Sequence, residues 1–309
     1  MTKQLHILNG QTTLHLFQES EIIGDTFVWD EILSDGPVLY EVASEEFWQT
    51  RREFVVATFG QGATGYSNLV AGFERVREFK SYEEIVLWYE YDLYCQINLM
   101  AILSWFYNHQ AQNKVKISLI CVGEEPGYNR LVGLGQLPVR RYPELLENRK
   151  KLSEANLRYA DTVWSSYADE NPAELSFACV PHPIFQYLGP SVQAHLERFP
   201  DHTGLSVIER EILKSVANGN LTNVDFLVRH MLQWQHYYGF GDLQYYYYIK
   251  SLKPFIDFGD TLTLNETGEK CLEEQLDRRM FPSLNLPYGG SRASEYRRTA
   301  DGFEKAPQD

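Results

Sequence analysis

The 309-residue chain is poor in cysteine and has no long apolar run. Its cysteines, Cys95, Cys121, Cys179 and Cys271, lie far apart and include no CxxC pair. Such spacing argues against a disulfide or metal–thiolate framework and is typical of proteins in a reducing cytoplasm. No stretch of about 18 uncharged apolar residues occurs, and the N-terminus lacks the apolar segment of a signal peptide. We therefore expect a cytoplasmic protein without a membrane span.

Basic residues are also scarce. The chain has 28 Lys and Arg against 42 Asp and Glu, which gives a net charge of −14. An acidic surface repels phosphate backbones, so the charge argues against nucleic acid as a partner unless a local basic patch exists. Apolar residues make up 44% and aromatic residues 14% of the chain, which is enough for a sizeable core. The length suits about two domains.

Common catalytic signatures are missing as well. The histidines form no HExxH or HxH pair, and no G-x-S-x-G occurs. The segment GQGATG at 60–65 matches G-x-G-x-x-G, but that fingerprint needs a strand before it and an acid at the end of the next strand. Residues 44–57 instead have a helical pattern, and Glu83 and Glu84 begin the next strand. We interpret Gly60 as a helix end and reject a dinucleotide site.

What the sequence does contain is an alternation of strands and helices over its first 125 residues. Apolar, β-branched stretches indicate strands near 4–8, 26–29, 84–88 and 115–122, with helical patterns between them. This cadence predicts a parallel sheet with helices on both faces. We assign residues 1–125 to a Rossmann-like α/β domain.

The rest of the chain is mostly helical. We assign 126–200 to a helical connector region, and 201–280 to a winged-helix-like module because three helices precede a strand at 261–264. Residues 281–309 have the composition of a loosely ordered tail. Four consecutive tyrosines at 245–248 could stack on bases, but on a helix they point in all directions, so we favour packing.

Residues 84–98, EIVLWYEYDLYCQIN, place two carboxylates where a buried strand leads into a helix. Glu90 and Asp92 follow this third strand, Glu31 follows the second, and Asn9 and Gly10 follow the first. Because the carboxyl ends of parallel strands share one edge of the sheet, we expect these side chains to converge there. Asp92 is also a good N-cap for its own helix, and the two roles are compatible.

The chemistry of these residues suggests anion and cation binding. Asn9 and Gly10 open a helix whose free N–H groups can hold an anion, and Arg51 or Arg52 could pair with a phosphate. Glu31, Glu90 and Asp92 are the candidate catalytic residues, as general base or as Mg²⁺ ligands. We place the candidate metal site at Glu90 and Asp92.

Five motifs occur in a specific order over about residues 4–270: HILNG, WDEILSDGPV, VLWYEYDLYCQINL, GLGQLP and FPDHTGLSVIEREIL. In this order they resemble the bacterial family catalogued as domain of unknown function 1835, with its helical C-terminal extension. The resemblance implies an α/β N-terminal domain and carries no established activity.

Residue by residue, the family pattern is matched at Glu31, Gly36, Pro37, Arg52, Glu90, Asp92 and Gln96. On this basis Gly36, Arg52 and Gln96 join Asn9 and Gly10 as candidate ligand-binding residues. The chain departs from the pattern at Gln11, where the family has an acid, and at Tyr91, where the family has a histidine. These differences remove a candidate ligand and a candidate acid–base group.

From these observations we expect a phosphorylated or nucleotide-like small molecule to bind at the carboxyl edge of the sheet, with Mg²⁺ as a candidate cofactor. The alternatives are a protein-interaction or regulatory role, with self-association, and, ranked last, DNA binding through the winged-helix-like module. The sequence does not decide whether the protein is an enzyme.

Overall fold

The computed structural model describes residues 3–60, 63–110, 115–219, 221–281 and 286–306. The strands are β1 (Gln4–Leu8), β2 (Asp25–Val28), β3 (Gly36–Pro37), β4 (Glu84–Glu90), β5 (Lys116–Val122), β6 (Lys150–Lys151), β7 (Ile256–Phe258), β8 (Leu262–Leu264), β9 (Pro287–Gly289), β10 (Ser291–Arg292), β11 (Tyr296–Thr299) and β12 (Gly302–Lys305).

The helices follow the same chain order. They are α1 (Gln11–Glu19), α2 (Glu45–Phe59), α3 (Ala63–Arg77), α4 (Leu93–His109), α5 (Arg141–Glu147), α6 (Glu154–Tyr167), α7 (Leu188–Leu196), α8 (Val207–Ala217), α9 (Val224–Trp234), α10 (Asp242–Ser251) and α11 (Glu266–Leu272). No helix in these described ranges is long and apolar enough to cross a membrane.

The main sheet has five strands in the order β2-β1-β4-β5-β6. Its first four strands are parallel, and the short β6 is antiparallel to β5. The prediction of a Rossmann-like parallel sheet followed by a mostly helical part is therefore confirmed. In this order the chain moves from β1 to one side and then crosses to the other, so a topological switch point lies between β1 and β4.

Both faces of the sheet are covered, which explains why β4 and β5 are almost continuously apolar. Leu87 and Tyr89 belong to the large core cluster on one side. The alternate residues Val86 and Trp88 belong to a smaller cluster on the other, together with Tyr142 of α5. Side chains of a strand alternate between faces, so this division follows directly from the sequence.

The N-terminal and C-terminal halves share one hydrophobic core. The large cluster contains residues from Leu5 to Cys271, and α4 packs extensively against α6. The Rossmann-like part and the helical C-terminal part therefore pack against each other over a common core. The cause is α4, which is apolar all round and needs partners on every side.

The C-terminal elements correct one expectation. Between 201 and 280 three helices are followed by the antiparallel pair β7 and β8, so the strand expected at 261–264 has a partner. From 286 to 306, in place of a loosely ordered tail, the chain forms β9 to β12. Strand β9 pairs in parallel with β3, which joins Tyr288 to Gly36.

Two local interpretations agree with the structure. Gly60 ends α2 with a left-handed φ of 64°, as expected for a helix C-cap, while residues 61 and 62 lie outside the described residues. In the tyrosine run, Tyr245 and Tyr248 are buried and Tyr246 is exposed. Two rings of the run therefore pack in the protein interior.

Candidate functional site

The two acids after β4 are held by different parts of the fold. Asp92 is the N-cap of α4, where its Oδ1 accepts the N–H of Cys95 at 2.8 Å. Glu90 is the last residue of β4, and its Oε1 accepts the N–H of Leu134 at 2.7 Å. Gly133 lies so close that a Cβ there would be 2.3 Å from Oε2 of Glu90. The capping role of Asp92 and its place beside Glu90 thus coexist.

Residues from β1 and α4 complete this acid site. Asn9 hydrogen-bonds to Glu90, and its Nδ2 lies 3.3 Å from Sγ of Cys95. Gln96 donates from Nε2 to the backbone carbonyl of Glu90 at 2.6 Å. A carboxylate oxygen of Glu90, one of Asp92 and the sulfur of Cys95 lie within 4.8 Å of one another. The sequence predicted Asn9, Glu90, Asp92 and Gln96 here, and missed Cys95.

These acids lack a positive partner. Within the described residues neither Glu90 nor Asp92 forms a salt bridge, whereas four other buried acids each pair with an arginine. Those pairs are Glu31–Arg51, Asp35–Arg198, Glu84–Arg149 and Glu209–Arg278. Burial of unpaired charge is costly unless a proton or a cation neutralises it.

The absence of a positive partner is reflected in the ionisation of the site. Burial, and then the charge of Glu90, raise the pKa of Asp92 to about 7. Burial also raises the pKa of Glu90 and of the Cys95 thiol. These raised pKa values favour a proton on the pair, which general acid–base chemistry would use and which a metal ion would displace.

The loop between α9 and α10 packs over Asp92 and the start of α4. Backbone carbonyls of Tyr237 and Tyr238 accept the N–H groups of Leu93 and Tyr94 at 2.6 and 3.4 Å. At Gly239 a Cβ would lie 2.3 Å from Cγ of Asp92. Sequence analysis missed this cover, because nothing in residues 235–241 indicates contact with a segment more than 140 positions earlier.

An open cleft lies along the edge of the sheet near the N-terminus of α1. Its volume is about 560 Å³, and its lining includes Gln11, Asp30 and Tyr66. Gly10 precedes α1 without a side-chain cap and faces open space. Burial raises the pKa of Asp30, whose Oδ2 lies 3.3 Å from Nε2 of Gln11. The cleft thus includes Gln11, the first residue of α1.

Glu31 does not join the other acids. Its Oε1 accepts from Nη2 of Arg51 at 2.8 Å, and its Oε2 accepts the hydroxyl of Tyr66 at 2.6 Å. Arg51 is fully buried and also donates to the carbonyls of Asp35 and Pro37. Glu31 and Arg51 therefore form an internal ion pair that fixes the loop after β2, and Glu31 lines the cleft apart from Glu90 and Asp92.

Arg52 and Gly36 are also placed elsewhere. Arg52 is exposed on α2, since its neighbour Arg51 occupies the buried side of that helix. Gly36 has a φ of +83°, and a Cβ there would be 2.3 Å from the ring of Phe54. Gly36 thus serves a tight turn beside β3, and the expected convergence of three strand ends reduces to Asn9, Gly10, Glu90, Asp92 and Gln96.

Comparison with known proteins adds no relative. No family model matches the chain, and no curated protein matches it. The resemblance of its motifs to the domain of unknown function 1835 therefore stays a prediction.

Proposed function

We propose that the protein binds a phosphorylated or nucleotide-like small molecule at the carboxyl edge of the sheet. The observation that carries this proposal is the position of the α1 N-terminus at the switch point between β1 and β4. Ligands of open α/β sheets bind at that place. Gly10 leaves the first N–H groups of α1 uncapped, and backbone N–H groups at a helix N-terminus attract anions.

The cleft is suited to the body of such a ligand, and the acid site is suited to a cation or proton beside its phosphate group. A cleft of about 560 Å³ falls within the range of small-molecule sites. An anion at Gly10 would lie one residue from Asn9, whose side chain contacts Glu90 and Cys95. Glu90 and Asp92 would then hold a cation against the phosphate oxygens, or exchange a proton with the ligand.

The departure at Gln11 supports anion binding in this chain. The family pattern has an acid at this first position of α1, where a carboxylate would compete with a bound anion. Gln11 leaves the helix start without negative charge and lines the cleft. We also propose that the protein is cytoplasmic and that it belongs to the family of the domain of unknown function 1835.

A thermal-shift series with inorganic phosphate and nucleoside mono-, di- and triphosphates, each with and without Mg²⁺, tests the proposal. We expect at least one ligand to raise Tm in a concentration-dependent way. Gln11→Glu should abolish this shift by repelling the anion. Gln18→Glu makes the same change on an exposed position at the other end of α1 and should preserve it. No shift in the wild type, or equal shifts in both variants, would refute the proposal.

DNA binding through a winged-helix-like module is less well supported. In that arrangement the third helix enters the major groove. Here the third helix is α10, whose Gln244 hydrogen-bonds to Asp35 in the buried interior, while Tyr245 and Tyr248 are also buried. A helix held in this way cannot present that face to DNA.

A protein-interaction role has one observation in its favour. Phe226, Leu243 and Tyr246 are exposed by 50%, 47% and 37% on the neighbouring helices α9 and α10. The hydroxyl of Tyr246 donates to Asp225 at 2.6 Å, which places these side chains on adjacent surfaces. Light scattering of the wild type and of Phe226→Ser tests self-association, and a monomer in both would remove a homo-oligomer from consideration.

A further inference from the structure

We propose that Glu90, Asp92 and Cys95 bind a divalent transition metal of the zinc class. This inference deepens the proposed function and rests on it in placing the cation beside the anion site of α1. The proposed site differs from the Mg²⁺ site expected from the sequence, because the sulfur atom of Cys95 is its third ligand. One thiolate with two carboxylates is also distinct from the thiolate frameworks that the cysteine spacing excludes.

The geometry of the three side chains is close to that of a metal site. One oxygen of Glu90, one of Asp92 and Sγ of Cys95 lie within 4.8 Å of one another. Zinc bonds of about 2.0–2.3 Å in a tetrahedron require ligand atoms about 3.3–3.8 Å apart. The ligand atoms would move together by roughly 1 Å on binding the ion. Two of the three residues are close along the chain, because Asp92 is the N-cap of α4 and Cys95 lies in the first turn of that helix.

Charge supplies the driving force for binding a cation here. Four other buried acids of the described chain each contact an arginine. Glu90 and Asp92 have no such contact among the same residues. A divalent cation would neutralise both carboxylates at once. In the other buried pairs of this fold, one arginine neutralises one carboxylate.

The donor set decides the class of metal. Mg²⁺ prefers an octahedron of oxygen ligands and keeps several waters, whereas a thiolate favours zinc and its neighbours in the first transition row. Nδ2 of Asn9 lies 3.3 Å from Sγ of Cys95, so an amide donor already faces the sulfur lone pairs. Such outer partners orient metal ligands and stabilise the thiolate.

One buried polar atom next to the cluster points independently to a missing ligand. Oε1 of Gln96 is fully buried without a partner among the described residues, although its Nε2 donates to Glu90. A metal-bound water would donate a hydrogen bond to Oε1 of Gln96.

Three protein ligands leave a fourth position for water or for a phosphate oxygen of the proposed ligand. Such open sites act as Lewis acids. On metal binding the Cys95 S–H bond breaks, the sulfur keeps the electron pair for the metal and the proton leaves to solvent. The sites on Glu90 and Asp92 likewise release any proton they hold.

Cobalt(II) titration of chelator-treated full-length protein tests the metal site, because a thiolate ligand gives Co²⁺ a near-ultraviolet charge-transfer band. We expect the band in the wild type and in Cys121→Ser, and its loss in Cys95→Ser. Zn²⁺ should displace Co²⁺, and Mg²⁺ should not. Competition should show that Cys95→Ser lowers zinc affinity by about 100-fold or more, since outer-shell changes alone cost 10- to 100-fold.

Two outcomes would overturn the proposal: Co²⁺ binding without the band, or a band that persists in Cys95→Ser. Circular dichroism and Tm establish that each variant is folded, and Glu90→Gln provides a second ligand change if Cys95→Ser does not fold. No nucleotide is present in this titration. Failure of the metal site therefore leaves the thermal shifts of metal-free protein with phosphates as a separate test of the proposed function.

Discussion

His6 is an internal histidine whose charge state is fixed by its surroundings. Its ring lies 4.7 Å from that of Phe17, centroid to centroid, and its Nδ1 accepts the indole N–H of Trp88 at 3.1 Å. Burial lowers the pKa of His6 from about 6.5 to about 4. The unfolded chain therefore binds a proton between pH 6.5 and pH 4 that the folded chain excludes.

The contribution of His6 to stability is complete above pH 6.5 and is lost as pH falls toward 4. We expect the loss to reach about 3 kcal/mol, from 1.36 kcal/mol per pKa unit. His6→Gln should flatten this part of the profile, measured as the free energy of urea unfolding between pH 7 and pH 4. Carboxylates titrate equally in both proteins and cancel in the difference. Parallel profiles would show that His6 is not the group responsible.

The sequence alone does not predict which of two neighbouring arginines is buried. Arg51 and Arg52 are adjacent and chemically identical, and both were candidates for phosphate contact. The rotation of α2 buries Arg51 against Glu31 and exposes Arg52, and this rotation is set by packing of Phe47 and Val55. One step along a helix is about 100°, so the roles of neighbours depend on tertiary contacts.

At the scale of elements, local sequence was sufficient to predict the four parallel strands of the main sheet and the start of α4. The apolar runs of β4 and β5 and the cap at Asp92 are properties of a few adjacent residues. The cover of Asp92 by the α9–α10 loop and the pairing of β3 with β9 join segments far apart in sequence. No local propensity encodes such contacts, so the sequence predicted the acids of the site and not what surrounds them.

Gly239 makes this long-range contact testable. Its φ is +66°, and a Cβ would lie 2.3 Å from Cγ of Asp92. Gly239→Ala should cost the strain of a left-handed alanine, about 1 kcal/mol, and in addition displace the loop from the acid site. Amide hydrogen exchange at Leu93 and Tyr94 should then accelerate, because their acceptors are carbonyls of that loop.

Gly219→Ala is the matched control. Its φ of +75° imposes the same backbone strain, but a Cβ there meets no atom within 4 Å. Exchange at Leu93 and Tyr94 should be unchanged in this variant. If the two substitutions affect these amides alike, the contact between Gly239 and Asp92 does not hold the loop in place.

At the scale of the whole molecule, the last strands tie the two halves together. Tyr288 of β9 pairs with Gly36, and its hydroxyl lies 2.9 Å from that of Tyr248 in α10. The guanidinium of Arg198 stacks over the Tyr288 ring at 3.7 Å while pairing with Asp35. Tyr288 thus contacts β3, the segment that follows α7, and α10.

Removal of the residues after 281 should therefore weaken contacts inside the fold, because β9 to β12 would be lost. We expect lower stability in urea and faster hydrogen exchange at Val38, whose N–H donates to Gly289 at 3.3 Å. A chain ending at residue 295 keeps β9 and should keep Val38 protected, although it lacks β11 and β12. If residues after 281 were only a loosely ordered tail, both truncations would leave Val38 as slow as in the full chain. Because Asp35 and Gly36 follow the ion-paired Glu31, exposing them should also loosen the wall of the proposed ligand cleft.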